Sequence, residues 1–306
     1  MNFFRKDQGI SDTEIQMRKI RSTVFQHMLI TRGWKYRIFL RYLRVFKYIS
    51  FAPTRGKFLE YYYTLMRYLD DVVDGDAPMP EGYTSETEYI KEKIHFAKHP
   101  VYPKDEIDHL ILFCFRLAES FHENFQEETQ DILGSLLFDA NRKGKMIIFP
   151  SKILMQHFHV LDIRGTIKAT LKIFKEDPAK YTLLEPLGTA CRYQYDLEDL
   201  VTDMQAGYVN IPEEDCKTFD IHIQDMHNLS SAKIKAWCRY RASEGMKLLA
   251  EHRKLLPEGN FSLLSRATFP LVYEHPARRL FKEVLDTDKY FNKILLQQEK
   301  QLHDYA

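Results

Sequence analysis

Glycine and proline are scarce, twelve of each in 306 residues. Long stretches contain neither, which speaks against an all-β or low-complexity chain and favours helices. Cysteine is scarcer still. Cys114, Cys191, Cys216 and Cys238 show no CxxC spacing and no pairing pattern, which argues against structural zinc and suits a reducing compartment. No apolar run approaches the ~18 residues of a membrane-spanning helix, and no leader with an apolar core is read at the start. The expectation is a cytoplasmic protein. HExxH, GxSxG, a P-loop and the dinucleotide glycine motif are all missing, so zinc protease, serine hydrolase, NTPase and Rossmann readings fall away.

What is present is material for a large core, 44% hydrophobic and 13% aromatic. Ser11-Asp12-Thr13-Glu14 has the S-x-x-E form of a capping box and predicts a helix from there to about Thr31, interrupted by Gly33. A second helix is expected over 34–49. A third follows over 55–75, entered through Pro53, with Phe58, Tyr62, Leu65, Leu69 and Val72 at helical spacing. Ser85 to Glu88 is another capping box. Further helices are predicted over 105–145 with a break near Asn124, from Pro150 to about Phe174, over 185–206, 231–256 and 260–300. No strand pattern or repeat is evident. The reading is one all-α domain over 1–306, with a basic segment at 1–50 and a helical core at 51–306.

Charge is uneven along the chain. Residues 1–60 hold thirteen Lys/Arg against four Asp/Glu, a balance of +9, while the remainder carries −8 and the whole chain +1. A basic segment suits nucleic acid, anionic lipid or a phosphorylated substrate. No nucleic-acid motif accompanies it, so no nucleic-acid partner is expected, whereas a membrane-peripheral position stays open.

Acidic residues gather in two places. In Arg67-Tyr68-Leu69-Asp70-Asp71-Val72-Val73-Asp74, Asp70 and Asp74 lie four apart on one helix face and can grip the same ions. They sit near the helix C-terminus, where the dipole disfavours negative charge, so a cation partner is implied. In Asp196-Leu197-Glu198-Asp199-Leu200-Val201-Thr202-Asp203 the same spacing relates Asp199 and Asp203, with Asp196 three residues earlier. Hard, octahedral magnesium takes a few carboxylates together with phosphate oxygens. Two acidic helices of this kind can hold a magnesium cluster that binds diphosphate and promotes its departure. Arg67, one turn before Asp70, suits either diphosphate or an ion pair. Arg192, before Asp196 and Asp199, suits a clamp or a pair with Asp196. Tyr63 and its aromatic neighbours suit either a carbocation or plain core.

At these residues the chain resembles the squalene/phytoene synthase family. Arg67, Asp70, Asp71 and Asp74, with Tyr63 upstream, are similar to its Arg-plus-DDxxD motif. Leu187-Gly188-Thr189-Ala190 resembles the LGxA start of the second motif, Asp199 and Asp203 fall on its paired aspartates, and Gly207 and Pro212 on its closing Gly and Pro. Weaker similarity extends to Ala242, Leu256-Pro257 and Tyr273. There are departures. Glu198 stands where the family has Arg, Tyr208 replaces Arg, and Asn210 replaces Tyr. Arg192 and Tyr195 replace Gln and Asn, His159 falls near a tyrosine position, and the family's Ser-rich segment is not evident.

The resemblance implies a class I isoprenoid synthase-like helical bundle with a central apolar cavity. It implies a cluster of about three Mg2+ ions at Asp70, Asp71, Asp74, Asp196, Asp199 and Asp203. Asp70, Asp74, Asp199 and Asp203 would be catalytic, and Tyr63, Arg67, Arg192, Tyr208, Asn210 and His159 would contact a prenyl diphosphate. The implied activity is ionisation of an allylic prenyl diphosphate and coupling of the prenyl cation. Cyclisation of a single chain, transfer to a non-isoprenoid acceptor, and a non-catalytic assembly factor are the alternatives.

Overall fold

Helices account for all regular structure among the described residues, which in this computed structural model are 6–31, 34–49 and 52–304. The first part of the chain forms α1 (Lys6–Thr31), α2 (Trp34–Ile49), α3 (Pro53–Asp74), α4 (Glu86–Lys98), α5 (Glu106–Glu119) and α6 (Gln126–Arg142). Then come α7 (Ser151–Phe158), a π-helical segment (His159–Ile167), α8 (Lys168–Ile173), a 3-10 turn (Pro178–Leu184), α9 (Glu185–Glu198), α10 (Leu200–Gln205) and α11 (Glu213–Thr218). After a second 3-10 turn (Ile223–His227) the chain ends with α12 (Ala232–Leu255), α13 (Leu263–Thr268), a second π segment (Phe269–Glu274), α14 (His275–Asp286) and α15 (Lys289–Asp304). Residues 1–137 and 138–306 form two units, and the dividing point lies inside α6.

Helix α3 is the axis of the first unit and packs against α1, α2 and α5. Pro53 occupies its first turn, where a missing N–H costs nothing. Phe58, Tyr61, Tyr62, Leu65, Leu69, Val72 and Val73 are buried. Phe58 lies 4.2 Å from Phe125 and 5.0 Å from Tyr62, between ring centroids. Burying each such side chain contributes about 1.5–3 kcal/mol. The predicted cap at Ser85 forms in half: its Oγ accepts the Glu88 N–H, but the Glu88 carboxylate turns to Thr84 N and Oγ1 instead. Asp105 caps α5 by accepting the N–H groups of Ile107 and Asp108. The fully buried Lys93 ammonium donates to Asp105 at 2.6 Å and Asp108 at 2.7 Å, which neutralises that end.

The capping box at Ser11–Glu14 is not the start of a helix. Helix α1 already runs from Lys6, because an S-x-x-E sequence is equally compatible with a helix interior. The expected interruption at Gly33 lies outside the described residues.

In the second unit α9 packs on α12, and α12 on α14. Trp237 is fully buried and donates to Asp215 at 3.0 Å. Tyr290 of α15 donates to the Leu197 carbonyl at 2.8 Å. All four cysteines are free and buried, and burial pushes the Cys191 and Cys238 thiols up to about 12. Among the described residues no helix is long and apolar enough to cross a membrane.

His252 of α12 is fully buried, and neither ring nitrogen has a hydrogen-bond partner. Burial first, and Arg253 in a lesser part, lower its pKa against the opposing pull of Glu274. Below the ordinary histidine value of ~6.5 the unfolded chain takes up a proton that the folded chain refuses, so stability falls as pH falls. His252→Gln is therefore expected to flatten the loss of melting temperature between neutral pH and pH ~5. An unchanged slope would contradict this assignment.

Candidate active site

The first carboxylate set ends α3. Asp74 is its last residue, and Gly75, with φ +86°, turns the chain out and returns its N–H to the Val72 carbonyl. Arg67 ties the set together. Its Nη1 lies 2.7 Å from Asp70 Oδ2, its Nε donates to Asp71 Oδ1 at 2.7 Å, and its Nη2 donates to the same Asp71 oxygen. Asp71 is buried, whereas the Asp70 side chain keeps 37% of its surface exposed. The pair is thus split: one carboxylate anchors Arg67 inside, and its neighbour is presented outward. Tyr63 packs with the α1–α2 cluster and meets Phe39 edge-on at 4.9 Å. A cavity of about 450 Å3 in this unit is bounded by Asp71, Tyr68, Tyr89, Ile20, Val24 and Asp105.

The second set lies where the predicted helix over 185–206 is broken. Helix α9 stops at Glu198, Asp199 adopts φ −103° and ψ 9°, and α10 resumes at Leu200. Helical bonds survive at the break itself: Asp199 N donates to Tyr195 O at 2.9 Å and Asp203 N to Asp199 O at 2.8 Å. Asp199 is exposed, Asp203 half-buried and Asp196 fully buried. Burial pushes Asp196 up to about 6, against the pull of Arg192 and Arg241. Neither of its carboxylate oxygens accepts a hydrogen bond. Asp203 is held well above the usual carboxylate range, by burial first and then by the negative charges of Asp199 and Asp196. The three carboxylates therefore share one field, and Arg192 and Arg142 offset it only in part.

A relay that the sequence did not reveal fixes Asp203. Asn210 Nδ2 donates to Asp203 Oδ2 at 2.8 Å, and Asn210 Oδ1 accepts from Arg142 Nη1 at 2.8 Å. Arg142 Nε donates to Asp139 Oδ1 at 2.7 Å, and His157 Nε2 lies 3.3 Å from that oxygen. Burial would raise Asp139, but His157 and Arg142 outweigh it and hold its carboxyl below the usual range. The Arg142 guanidinium also lies 4.8 Å from the Tyr208 ring centre. Asn210 and Tyr208 are thus structural partners of one buried arginine. The only sequence signal for Arg142 was an arginine ending an apolar helix, 68 residues from Asn210.

Arg192 has a partner the sequence did not supply. Its Nε donates to Asp162 Oδ2 at 2.9 Å, while Asp196 lies farther, at 3.8 Å. Asp162 belongs to the π segment His159–Ile167, which His159 opens, partly buried. Helices of this form are rare and cluster at functional sites. The π segment approaches α9 so closely that a Cβ on Gly188 would fall 2.2 Å from Ile163 Cδ1, so any larger residue there would require the Ile163 side chain to move. Gly207 is constrained more firmly: its φ is +78°, and a Cβ would lie 2.5 Å from the Gly144 backbone at Cα. Backbone bonds from Gly144 N to Ala206 O and from Met146 N to Gly207 O hold that turn. A pocket of about 50 Å3 remains between the two π segments and α9, bounded by Asp162, Leu187, Cys191, Tyr195, Phe269 and Tyr273.

The donors are hard oxygens, two of them buried without a hydrogen-bond donor and one crowded by like charge, which fits a hard cation such as magnesium. Among the described residues no three His, Cys, Asp or Glu side chains form a metal cage by themselves. Magnesium does not require one, since water and phosphate oxygens complete its octahedron.

No protein-family model matches the chain, and no curated protein sequence matches it. Solved structures do. The chain is similar to squalene synthase HpnC from Alicyclobacillus acidocaldarius, at 13% identity and a TM-score of 0.60, over 93% of this chain and 96% of that one. It is also similar to a dehydrosqualene synthase solved in complex with ligand, at 16% identity and a TM-score of 0.59, over 96% and 99% of the two chains. The chain therefore shares the fold of these two synthases, all-α and without strands among the described residues.

Proposed function

We propose that this protein is a magnesium-dependent isoprenoid synthase that ionises an allylic prenyl diphosphate and couples the prenyl cation to carbon. The observation that carries the reading is the buried Asp196 carboxylate, which accepts no hydrogen bond, in one helical stretch with Asp199 and Asp203, on a fold shared with squalene and dehydrosqualene synthases. Asp70 and Asp74 in one set, and Asp199 and Asp203 in the other, would hold magnesium, with Asp71 and Asp196 behind them. Bound there, magnesium would neutralise diphosphate oxygens and make the diphosphate a better leaving group.

The chain's own residues do the rest. Arg67, oriented by Asp70 and Asp71, is set to meet a diphosphate oxygen. Asn210 and Arg142 fix the rotamer of Asp203. Apolar side chains around the prenyl chain exclude water, so that carbon rather than hydroxide captures the cation. The faces of Tyr195 and Tyr273, both bounding the pocket beside α9, suit a passing positive charge.

A narrower reading is favoured by one feature. Two prenyl diphosphates bring roughly four to six negative charges into one apolar site, which magnifies any unpaired charge. Tyr208 and Asn210 are buried around Arg142, Arg142 is engaged by Asp139, and Arg192 by Asp162. All four already have a partner within the chain, and Glu198 and Tyr208 stand where the resembled family carries Arg. Cyclisation of one prenyl chain, or its transfer to another acceptor, fits this arrangement better than head-to-head coupling.

The reading is tested by ligand-linked stability. A non-ionisable prenyl diphosphate analogue at a hundred times its dissociation constant should add about 2.7 kcal/mol in the presence of magnesium. In EDTA the gain should vanish. An equal gain in EDTA would contradict a metal-bridged site, and no gain under either condition would point to a non-catalytic protein.

A further inference from the structure

Helix α2 has one face inside and one face out. Leu40, Leu43 and Phe46 are buried at 4%, 1% and 1% exposure, and the first two pack with Val24, Phe25 and Met28 of α1. On the other side Arg37, Ile38, Arg41, Arg44, Val45 and Tyr48 are all exposed. At ~100° per residue these six fall within a single arc of about 120°. Ile38, Val45 and Tyr48 keep 57%, 46% and 71% of their surface in solvent. The sixteen residues of α2 include five Lys/Arg and no Asp or Glu.

A lone exposed aliphatic residue needs no explanation. Here apolar and cationic side chains share one face, and the arginines stand at spacings where like charges repel and no acid of the same helix intervenes. We propose that this face of α2 docks on an anionic membrane surface, with Arg37, Arg41 and Arg44 at lipid phosphates and Ile38 and Val45 at the acyl boundary. Tyr48 presents an apolar ring with a polar tip, the chemistry of the headgroup level. The +9 balance of residues 1–60 adds long-range attraction to the same kind of surface. A bilayer fits better than a protein partner. One helical arc is far smaller than the ~800 Å2 per partner of a stable protein interface, whereas an anionic leaflet rewards each cation separately. Docking of this kind needs no spanning helix and does not depend on chemistry at the aspartates.

The test is co-sedimentation of the full chain with phosphatidylcholine vesicles, with and without phosphatidylserine. Binding is expected only to the mixed vesicles and should weaken as salt rises. The triple variant Arg37→Gln, Arg41→Gln, Arg44→Gln should bind roughly a hundredfold more weakly, each cation near an anionic leaflet being worth about fivefold. A second variant, Ile38→Ser with Val45→Ser, should bind about tenfold more weakly because it removes the inserted apolar groups. Both should keep the wild-type melting temperature, since all five positions are exposed. Equal binding to neutral vesicles, no binding at all, or unchanged affinity in the triple variant would overturn the proposal. So would loss of prenyl diphosphate turnover by the Ser variant without vesicles, which would assign the face to substrate.

Discussion

Asp203→Asn and Asp70→Asn are each expected to lower magnesium-dependent diphosphate release by more than about a hundredfold. Loss of a residue that merely orients a metal ligand already costs about 10–100-fold, and these two are assigned as ligands themselves. The same substitutions should leave the metal-free protein intact. For Asp203 the sign can be worked out. Its folded pKa lies above the unfolded value, because burial and the charges of Asp199 and Asp196 disfavour the ionised form. A carboxyl shifted in that direction stabilises the fold below its unfolded pKa and loses that contribution as pH rises through the folded one. The ionised form of Asp203 is thus a burden to the metal-free fold. Asn at this position can still accept from Asn210, so the metal-free melting temperature should hold or rise. An ordinary surface acid would show neither effect. Release near the wild-type rate in both variants would refute the metal assignment.

Arg142→Met is expected to destabilise the protein by about 3–5 kcal/mol, the range for removing one partner of a buried charge pair. Arg142 is 5% exposed, and its loss leaves Asp139 without its guanidinium and Asn210 Oδ1 without a donor. Asp203 would lose the support behind Asn210, so diphosphate release should fall as well. The double variant Asp139→Asn with Arg142→Met should recover part of the stability, because no uncompensated carboxylate then remains inside. Denaturant unfolding of both single variants and the double one measures this coupling. Additive losses would show that Asp139 and Arg142 do not act as a unit.

The limits of sequence reading are visible in particular residues. Helix α2 was legible to its ends, Trp34 and Ile49, because an apolar stripe and a run of cations carry a clear period. Helix α3 differed by two residues at its start and one at its end, with Pro53 and Gly75 as punctuation. The four-residue spacing of Asp70 with Asp74 and of Asp199 with Asp203 could be read directly from the sequence. The break at Asp199 could not, since no glycine or proline marks it and Asp199 N and Asp203 N still bond four residues back. The π segments were hidden for a related reason: Ile163 and Ile167 keep helical spacing, and the extra residue per turn leaves no compositional mark. Arg142 and Asp162 were missed because their partners are distant in sequence, and a lone charge on a helix usually signifies solvent. Tyr208 and Asn210 looked like losses from a phosphate clamp. In the fold both contact Arg142, Tyr208 through its ring and Asn210 through its side-chain oxygen.

Diphosphate release from purified ten-, fifteen- and twenty-carbon allylic prenyl diphosphates, with magnesium and with EDTA, tests the central claim most directly when the organic products are weighed in the same reaction. The prediction is release from at least one substrate in magnesium alone, none in EDTA, and a substantial share of product with the mass of a single prenyl chain that has lost diphosphate. Release at the same rate in EDTA, or no release from any of the three, would contradict the account. Clean formation of a symmetric dimer hydrocarbon or its cyclopropyl diphosphate precursor would preserve the ionisation and overturn the single-chain reading.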